Sequence, residues 1–159
     1  MKVLIFDRIN DVLAVALAKE WKLQGGTSID ASSNGGIDCV LNNCPEPHGF
    51  IFTESNFDET ALLKECGFNH EMISRYGEMI NDKISSLLND FQIATKAMLP
   101  ARKGHVLCLC LDDVSAHILG LPESPIVNQA RNSAMKSLAK EYSRIGINFN
   151  TVIYQPPKE

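Results

Sequence analysis

A thiol, an imidazole and a carboxylate together can make a nucleophilic site, and Cys44, His117 and Asp112 are the residues of this chain that could form one. In such a site His117 would take the thiol proton and Asp112 would orient the imidazole. The plainer alternative is a small buried thiol at Cys44, next to Pro45, and a solvated turn at Asp112-Asp113. The remaining histidines, His48, His70 and His105, share no ligand spacing. Cys108 and Cys110 form a CxC without a second close pair, so no metal site is expected. The five cysteines, Cys39, Cys44, Cys66, Cys108 and Cys110, are odd in number and lie mostly in apolar runs. That pattern reads as thiols in a reducing compartment, with a cytoplasmic location expected, and not as a disulfide scaffold.

These residues need a frame to bring them together, and the hydrophobic pattern suggests one. The run at 3–6 is wholly apolar, as in a strand buried on both faces of a parallel sheet. A helix should follow, capped by Asn10 or Asp11, with Leu13, Ala16, Leu17, Ala18 and Trp21 as its stripe and Gly25-Gly26 at its end. Residues 27–31 and 38–41 read as strands, and 50–53 is ambiguous. A long helical pattern covers 69–99, with Ile84, Leu87, Leu88, Phe91, Thr95 and Met98 on one face; Gly77 is a candidate break and Pro100 a stop. A buried strand is expected at 105–111, a helix from Pro125 to Tyr142 and a last strand from Ile147 to Tyr154. Strands alternating with helices predict a three-layer, doubly wound, mostly parallel α/β sheet.

Composition limits the function. The chain has 159 residues, 45% of them hydrophobic and 21% charged, as expected for one globular domain over 1–159. A formal net charge of -4 without a basic stripe argues against nucleic acid as a partner. No apolar run approaches the roughly 20 residues that span a bilayer, and the start carries no secretory pattern, so no membrane association is expected.

Three stretches in sequence order resemble short-chain dehydrogenases/reductases: IDCVLNNCP (37–45), ATKAMLPARKGHVLCLCL (94–111) and SLAKEYSRIGINFN (137–150). The first is similar to the family's strand ending in Asn-Asn-Ala-Gly. The second is similar to its long helix, Leu-Pro turn and following strand. The third is similar to the end of the helix bearing the active-site lysine, with the next strand. The resemblance implies an abbreviated Rossmann-like fold and, for an intact member, hydride transfer with a nicotinamide cofactor.

Carried over position by position, that chemistry is missing. The family's catalytic tyrosine falls at Ser124, its lysine at Asn128 and its serine at Leu111; its helix asparagine falls near Leu87, or at Asn89 if the register slips by two. A four-residue slip places the tyrosine and lysine at Asn128 and Asn132, which restores nothing. Neither a serine hydroxyl nor an asparagine amide can replace a tyrosine tuned by a lysine. The turn after the first strand, residues 6–11, has no glycine for a pyrophosphate, and Asp7 and Asp11 put negative charge there, offset only by Arg8. The segment 23–37 is too short for two strand-helix units, and the residues past Gln155 are too few for the family's substrate lid.

No cofactor is therefore expected. The family's subunits pair through the two long helices, which implies an interface of Ile84, Leu88, Phe91, Ile126, Ala130 and Ala134, with Ala130 and Ala134 permitting close helix approach. The expected function is association without catalysis, as a homo-oligomer or as the partner of an active reductase subunit. The alternatives are an enzyme of altered chemistry on the sheet's carboxyl edge, or a small-molecule binder using the vacated cofactor cleft.

Overall fold

The computed structural model describes residues 2–9, 11–44, 46–53, 57–67 and 69–155. Asn10 and Pro45 lie outside the described residues, so the capping of the first helix rests on Asp11, whose carboxylate accepts the N–H of Ala14 at 2.6 Å. The elements run β1 (Val3–Phe6), α1 (Val12–Leu23), β2 (Thr27–Asp30), α2 (Ile37–Asn43), β3 (Gly49–Phe52), α3 (Glu59–Cys66), α4 (His70–Met98), β4 (Gly104–Leu111), α5 (Asp113–Leu119), α6 (Pro125–Tyr142) and β5 (Ile147–Tyr154). All pairings are parallel, in the order β2-β1-β3-β4-β5. This is the α/β doubly wound, Rossmann-like sheet expected from the alternating pattern.

The core has two parts, one on each face of the sheet. On one face Ile37 and Val40 of α2, Leu87, Phe91, Ala94 and Met98 of α4, and Met135 of α6 pack over Ile5, Phe50, Phe52, Val106 and Phe149. On the other, Ala14 and Ala18 of α1 cover Phe6, Ile51 and Leu109. Alanines at those two positions let the helix lie close to the strands. Trp21, expected on the core stripe of α1, is only half-buried and donates its indole N–H to the Thr27 carbonyl at 3.1 Å, latching the turn into β2.

Two expectations are corrected. Residues 38–41 are helical, because Ile37, Val40 and Leu41 repeat at helical spacing and face the core while Asp38 and Cys39 are exposed. Gly35 and Gly36, both at positive φ, turn the chain into that helix. The central strand is instead β3, GFIF, buried at every position. Gly49 opens it because a Cβ there would lie 2.4 Å from the His105 carbonyl oxygen. Gly77 does not break α4, which runs 29 residues with its N-terminus capped by Asn69. No helix among the described residues is long and apolar enough to cross a membrane.

Candidate functional site

In an open parallel sheet, ligands gather outside the carboxyl ends of the strands, at the point where the winding reverses. Here β1 is that point, since β2 lies on one side and β3 on the other. Asp7, the first residue past β1, joins the two strand ends. Its Oδ1 accepts from the Arg8 N–H at 2.7 Å, the Thr53 N–H at 2.8 Å and the Thr53 hydroxyl at 3.0 Å. Burial pushes the Asp7 carboxyl up, against the lowering effect of those hydrogen bonds and of the Arg8 charge. A cleft of about 100 Å³ opens beside it, lined by Arg8, Thr53, Lys83, Asp90 and Arg131 among others. Lys83, Ser86, Leu87 and Asp90 reach it together because their spacing places them on one face of α4.

Asp90 is half-buried, and desolvation raises its carboxyl to about 6, with Asp7 and Asp38 adding to the rise and Arg8 opposing it. Because this lies above the ordinary value of 3.8, the folded state keeps a proton that the unfolded state has lost between those pH values. Stability therefore falls as pH rises from about 4 to about 6 and stays lowered above. Asp90→Asn is expected to stabilise the protein at pH 7 by about 1 kcal/mol, the shift being discounted for solvent screening, and to leave it unchanged near pH 4. Urea unfolding at the two pH values checks this; a gain independent of pH would assign it to something other than the carboxylate.

The turn from β1 into α1 is where a dinucleotide's pyrophosphate would need free backbone N–H groups. Here those groups already have carboxylate acceptors. The Arg8 N–H goes to Asp7, the Ile9 N–H to Oδ2 of Asp30 at 3.3 Å, and the Ala14 N–H to Asp11. Asp30 ends β2, the place from which Rossmann folds direct an acid at the cofactor ribose. Its own carboxylate instead accepts from the Ser32 N–H, the Ser32 hydroxyl at 2.6 Å and the Ser33 hydroxyl. Three carboxylates around the turn oppose a diphosphate, so the residues present do not fit a dinucleotide.

Three of the carried-over positions lie at the end of β4 and the start of α6. Leu111 is the buried last residue of that strand. Ser124 occupies the position before α6 without a side-chain cap, and its hydroxyl donates instead to the Phe57 carbonyl. Asn128, one turn on, donates its side-chain N–H to Asp113 at 3.0 Å. Of the two candidates for the helix asparagine, Leu87 is buried in the core and Asn89 is exposed, while Asn132 is half-buried. One turn beyond Asn128, the buried Arg131 donates to the Leu109 carbonyl at 3.3 Å and lies 3.8 Å from the Cys110 sulfur.

A buried acid absent from the expectations organises this region. Glu59, in the first turn of α3, accepts from the Ile126 N–H at 3.0 Å, the Val127 N–H at 3.4 Å and the Tyr76 hydroxyl at 3.2 Å. Its own N–H donates to the Glu123 carbonyl at 2.7 Å. Residues 57–60 are thus docked on the start of α6, over the position of the family's tyrosine. The sequence did carry a signal: Asp58-Glu59-Thr60 before Ala61-Leu62 is a helix-start pattern, and Asp58 does cap α3 through Ala61.

The nucleophilic arrangement of Cys44, His117 and Asp112 does not form. Cys44 ends α2, whose chain returns to the amino edge before β3, whereas Asp112 caps α5 at the carboxyl edge of β4. Asp112 accepts from Ser115, and His117 pairs with Glu123 at 2.8 Å. Among the described residues no group of three or more His, Cys, Asp or Glu could hold a metal ion.

Solved structures similar to this one include a short-chain dehydrogenase/reductase and other enzymes. A "Dehalogenation enzyme" aligns over 98% of this chain and 76% of its own, with TM-score 0.64 and 17% identity. A short-chain dehydrogenase/reductase from Brucella ovis aligns over 96% and 82%, with TM-score 0.65 and 11% identity. An acetoin dehydrogenase from Salmonella typhimurium aligns over 96% and 65%, with TM-score 0.58 and 15% identity. The fold is therefore that of the short-chain dehydrogenases/reductases, and the chain spans 76%, 82% and 65% of these three structures. No protein-family profile and no curated protein matches the sequence.

Proposed function

We propose that this chain is a non-catalytic protein of the short-chain dehydrogenase/reductase fold that acts by association, pairing α4 and α6 with the same helices of a second copy. The observation that carries the non-catalytic reading is the engagement of Ser124 and Asn128 by Phe57 and Asp113, at positions where the family's proton transfer needs a tyrosine and a lysine. The carboxylates around the turn after β1 support it from the cofactor side.

The association surface is an apolar groove of about 380 Å³ between α4 and α6, with Leu88, Leu99, Ala134, Leu138 and Tyr142 in its lining. Leu88, on α4, is 48% exposed and Leu99, just past its end, 38% exposed. Ile126, 48% exposed, lies at the start of α6, and Ile84, Ala130 and Ala134 are half-buried. Phe91 forms the floor of the groove and faces the sheet, being only 1% exposed, so the contact is assigned to Leu88 on this helix. Specific interfaces bury on the order of 1,600 Å² and concentrate their energy in a few central side chains.

Leu88→Glu is expected to halve the mass of the assembly in sedimentation at micromolar concentration and to leave the far-UV spectrum unchanged, because the side chain is already half in water. A mass unaffected by the substitution would overturn this interface. Co-purification with a stoichiometric active reductase, in place of self-association, would move the same surface to a different partner.

A further inference from the structure

The amino edge of the sheet, opposite the positions described above, carries its own group of titratable residues. His48 directly precedes β3, and His105 is the second residue of β4, the neighbouring parallel strand. Their backbones are fixed against each other: the His48 N–H donates to the Val3 carbonyl at 2.7 Å, and the His105 N–H to the His48 carbonyl at 3.2 Å. A cleft of about 130 Å³ opens beside them, lined by Glu46, Pro47, His48, Ala101, Lys103 and His105. Lys103 reaches it from the turn between α4 and β4. In that turn Arg102 holds φ 46, a left-handed conformation uncommon for a residue with a Cβ, and its N–H donates to the Leu99 carbonyl at 3.1 Å.

Positive charge gathers here in a chain whose net charge is -4. His48 is half-buried, and its imidazole is held below the ordinary 6.5 by burial first, then by Lys103 and Lys2, with His105 adding to them. Glu46 is the acid in the lining of the cleft. Among the described residues neither lysine and neither imidazole makes a side-chain hydrogen bond or an ion pair; the ion pair found joins His117 to Glu123. Basic side chains near the ends of α2 and α4 offset the helix dipoles to some extent. That does not account for donors without acceptors around one cleft, or for lysines that suppress the protonation of a half-buried imidazole between them. An anion placed among these groups converts their mutual repulsion into attraction.

We propose that this cleft binds a tetrahedral oxyanion, free phosphate or the phosphate group of a small ester, between the imidazoles of His48 and His105 and the ammonium groups of Lys103 and Lys2. A doubly charged tetrahedral anion can accept charge-assisted hydrogen bonds from several sides at once. A neutral imidazole offers one N–H and a protonated one offers two, so binding is linked to protonation. The anion raises the pKa of His48, and its affinity rises as pH falls through the range where His48 takes up its proton. Lys2, Lys103 and His105 act in the anion's favour, and Glu46 opposes it. The site is separate from the α4/α6 groove and does not depend on association there.

The test follows the imidazole C–H resonances of His48 and His105, assigned with His48→Gln and His105→Gln, while the protein is titrated with sodium sulfate at an ionic strength held constant with sodium chloride. Sulfate keeps both charges throughout, so any pH dependence belongs to the protein. The expected result is a saturable shift of both resonances, an affinity about fivefold higher at pH 6 than at pH 8, and a His48 titration moved to higher pH by about one unit at saturation. Lys103→Gln is expected to act in two opposite directions. Without sulfate the His48 titration moves up toward its ordinary value, because a like charge is gone, while sulfate affinity falls about fivefold or more. Lys64→Gln, which removes an exposed charge on α3, is expected to change neither. Phosphate and methyl phosphate titrated in the same way separate the two sources: equal affinities admit an ester, and binding of phosphate alone confines the cleft to the free ion. Shifts that grow linearly with sulfate, or that chloride reproduces, would show screening without a site and overturn the proposal. Resonances that respond to zinc ion and not to sulfate would make the two imidazoles a metal site and overturn it as well.

Discussion

Phe91→Ala is expected to lower the unfolding free energy by about 3–5 kcal/mol, the usual cost of removing a buried aromatic ring and leaving part of its cavity. Phe91 lies beneath α4 with its ring edge-on to Phe52, the centroids 5.1 Å apart at 76°. Phe52 in turn stacks with Phe50 on the same strand. The ring therefore joins the longest helix to the central strand, and its loss removes aromatic contact as well as buried area. Small domains have about 5–15 kcal/mol in all, so the variant is expected to lose a large part of its margin. Gln92→Ala, on the exposed side of the next position, is expected to change stability by less than about 0.5 kcal/mol. Urea unfolding of the pair checks both. A Phe91 variant losing less than about 1 kcal/mol would mean that the ring faces away from the sheet and that the helical face assigned to the interface must be turned.

That pair also shows what the sequence could and could not reveal. The apolar stripe of α4 marked a helix, but its register relative to the sheet depends on residues in β3, some forty positions earlier in the chain. Helices and strands with many turns or a strict pattern were legible: α6 and β5 have the boundaries their periodicity predicts. Among the short apolar runs, 3–6 was read correctly as β1, but 37–41 was not. Ile37-Asp38-Cys39-Val40-Leu41 fits either a strand or one helical turn, and only the burial of Ile37 with Val40 decides it. The resemblance of IDCVLNNCP to a family strand failed for the same reason, and the corresponding strand is β3, the ambiguous stretch. The fold class survived the misplacement because the other strands and the long helices still alternate, although α3 and α5 were not read from the sequence.

The sequence located the positions that the resemblance singles out, but not the contacts around them. Ser124 and Asn128 follow from spacing to the strand after them and Leu111 from the end of its own strand; Leu111 ends β4, Ser124 precedes α6 and Asn128 lies in its first turns. What holds them there was not visible. The residues that engage the turn amides and the start of α6 meet their partners across large sequence separations, 21 positions for Asp30 and Ile9 and 67 for Glu59 and Ile126. A capping pattern can mark Glu59 as a helix start, but not as the acceptor for a different helix.

Glu59→Ala is expected to be among the most damaging single substitutions outside the hydrophobic core. The carboxylate is buried, 4% exposed, and faces the start of α6, where free N–H groups and the helix dipole favour negative charge. Removing it leaves the Ile126 and Val127 N–H groups and the Tyr76 hydroxyl without this acceptor, and releases the start of α3 from the start of α6. Unsatisfied buried donors and the lost dipole interaction together set a cost of about 2–4 kcal/mol. Glu59→Gln keeps one carbonyl acceptor without the charge, and its expected cost is smaller, about 1–2 kcal/mol. Tyr76 supplies a readout that a general loss of packing would not move. Its phenol is raised by desolvation, by the Glu59 charge and by the hydrogen bond to Glu59. In Glu59→Gln the charge is gone while the fold remains, so the tyrosine absorbance assigned to Tyr76, by difference from Tyr76→Phe, should titrate at lower pH than in the wild type. An unchanged titration, or a Glu59→Ala variant as stable as the wild type, would show that Glu59 does not hold the two helices together.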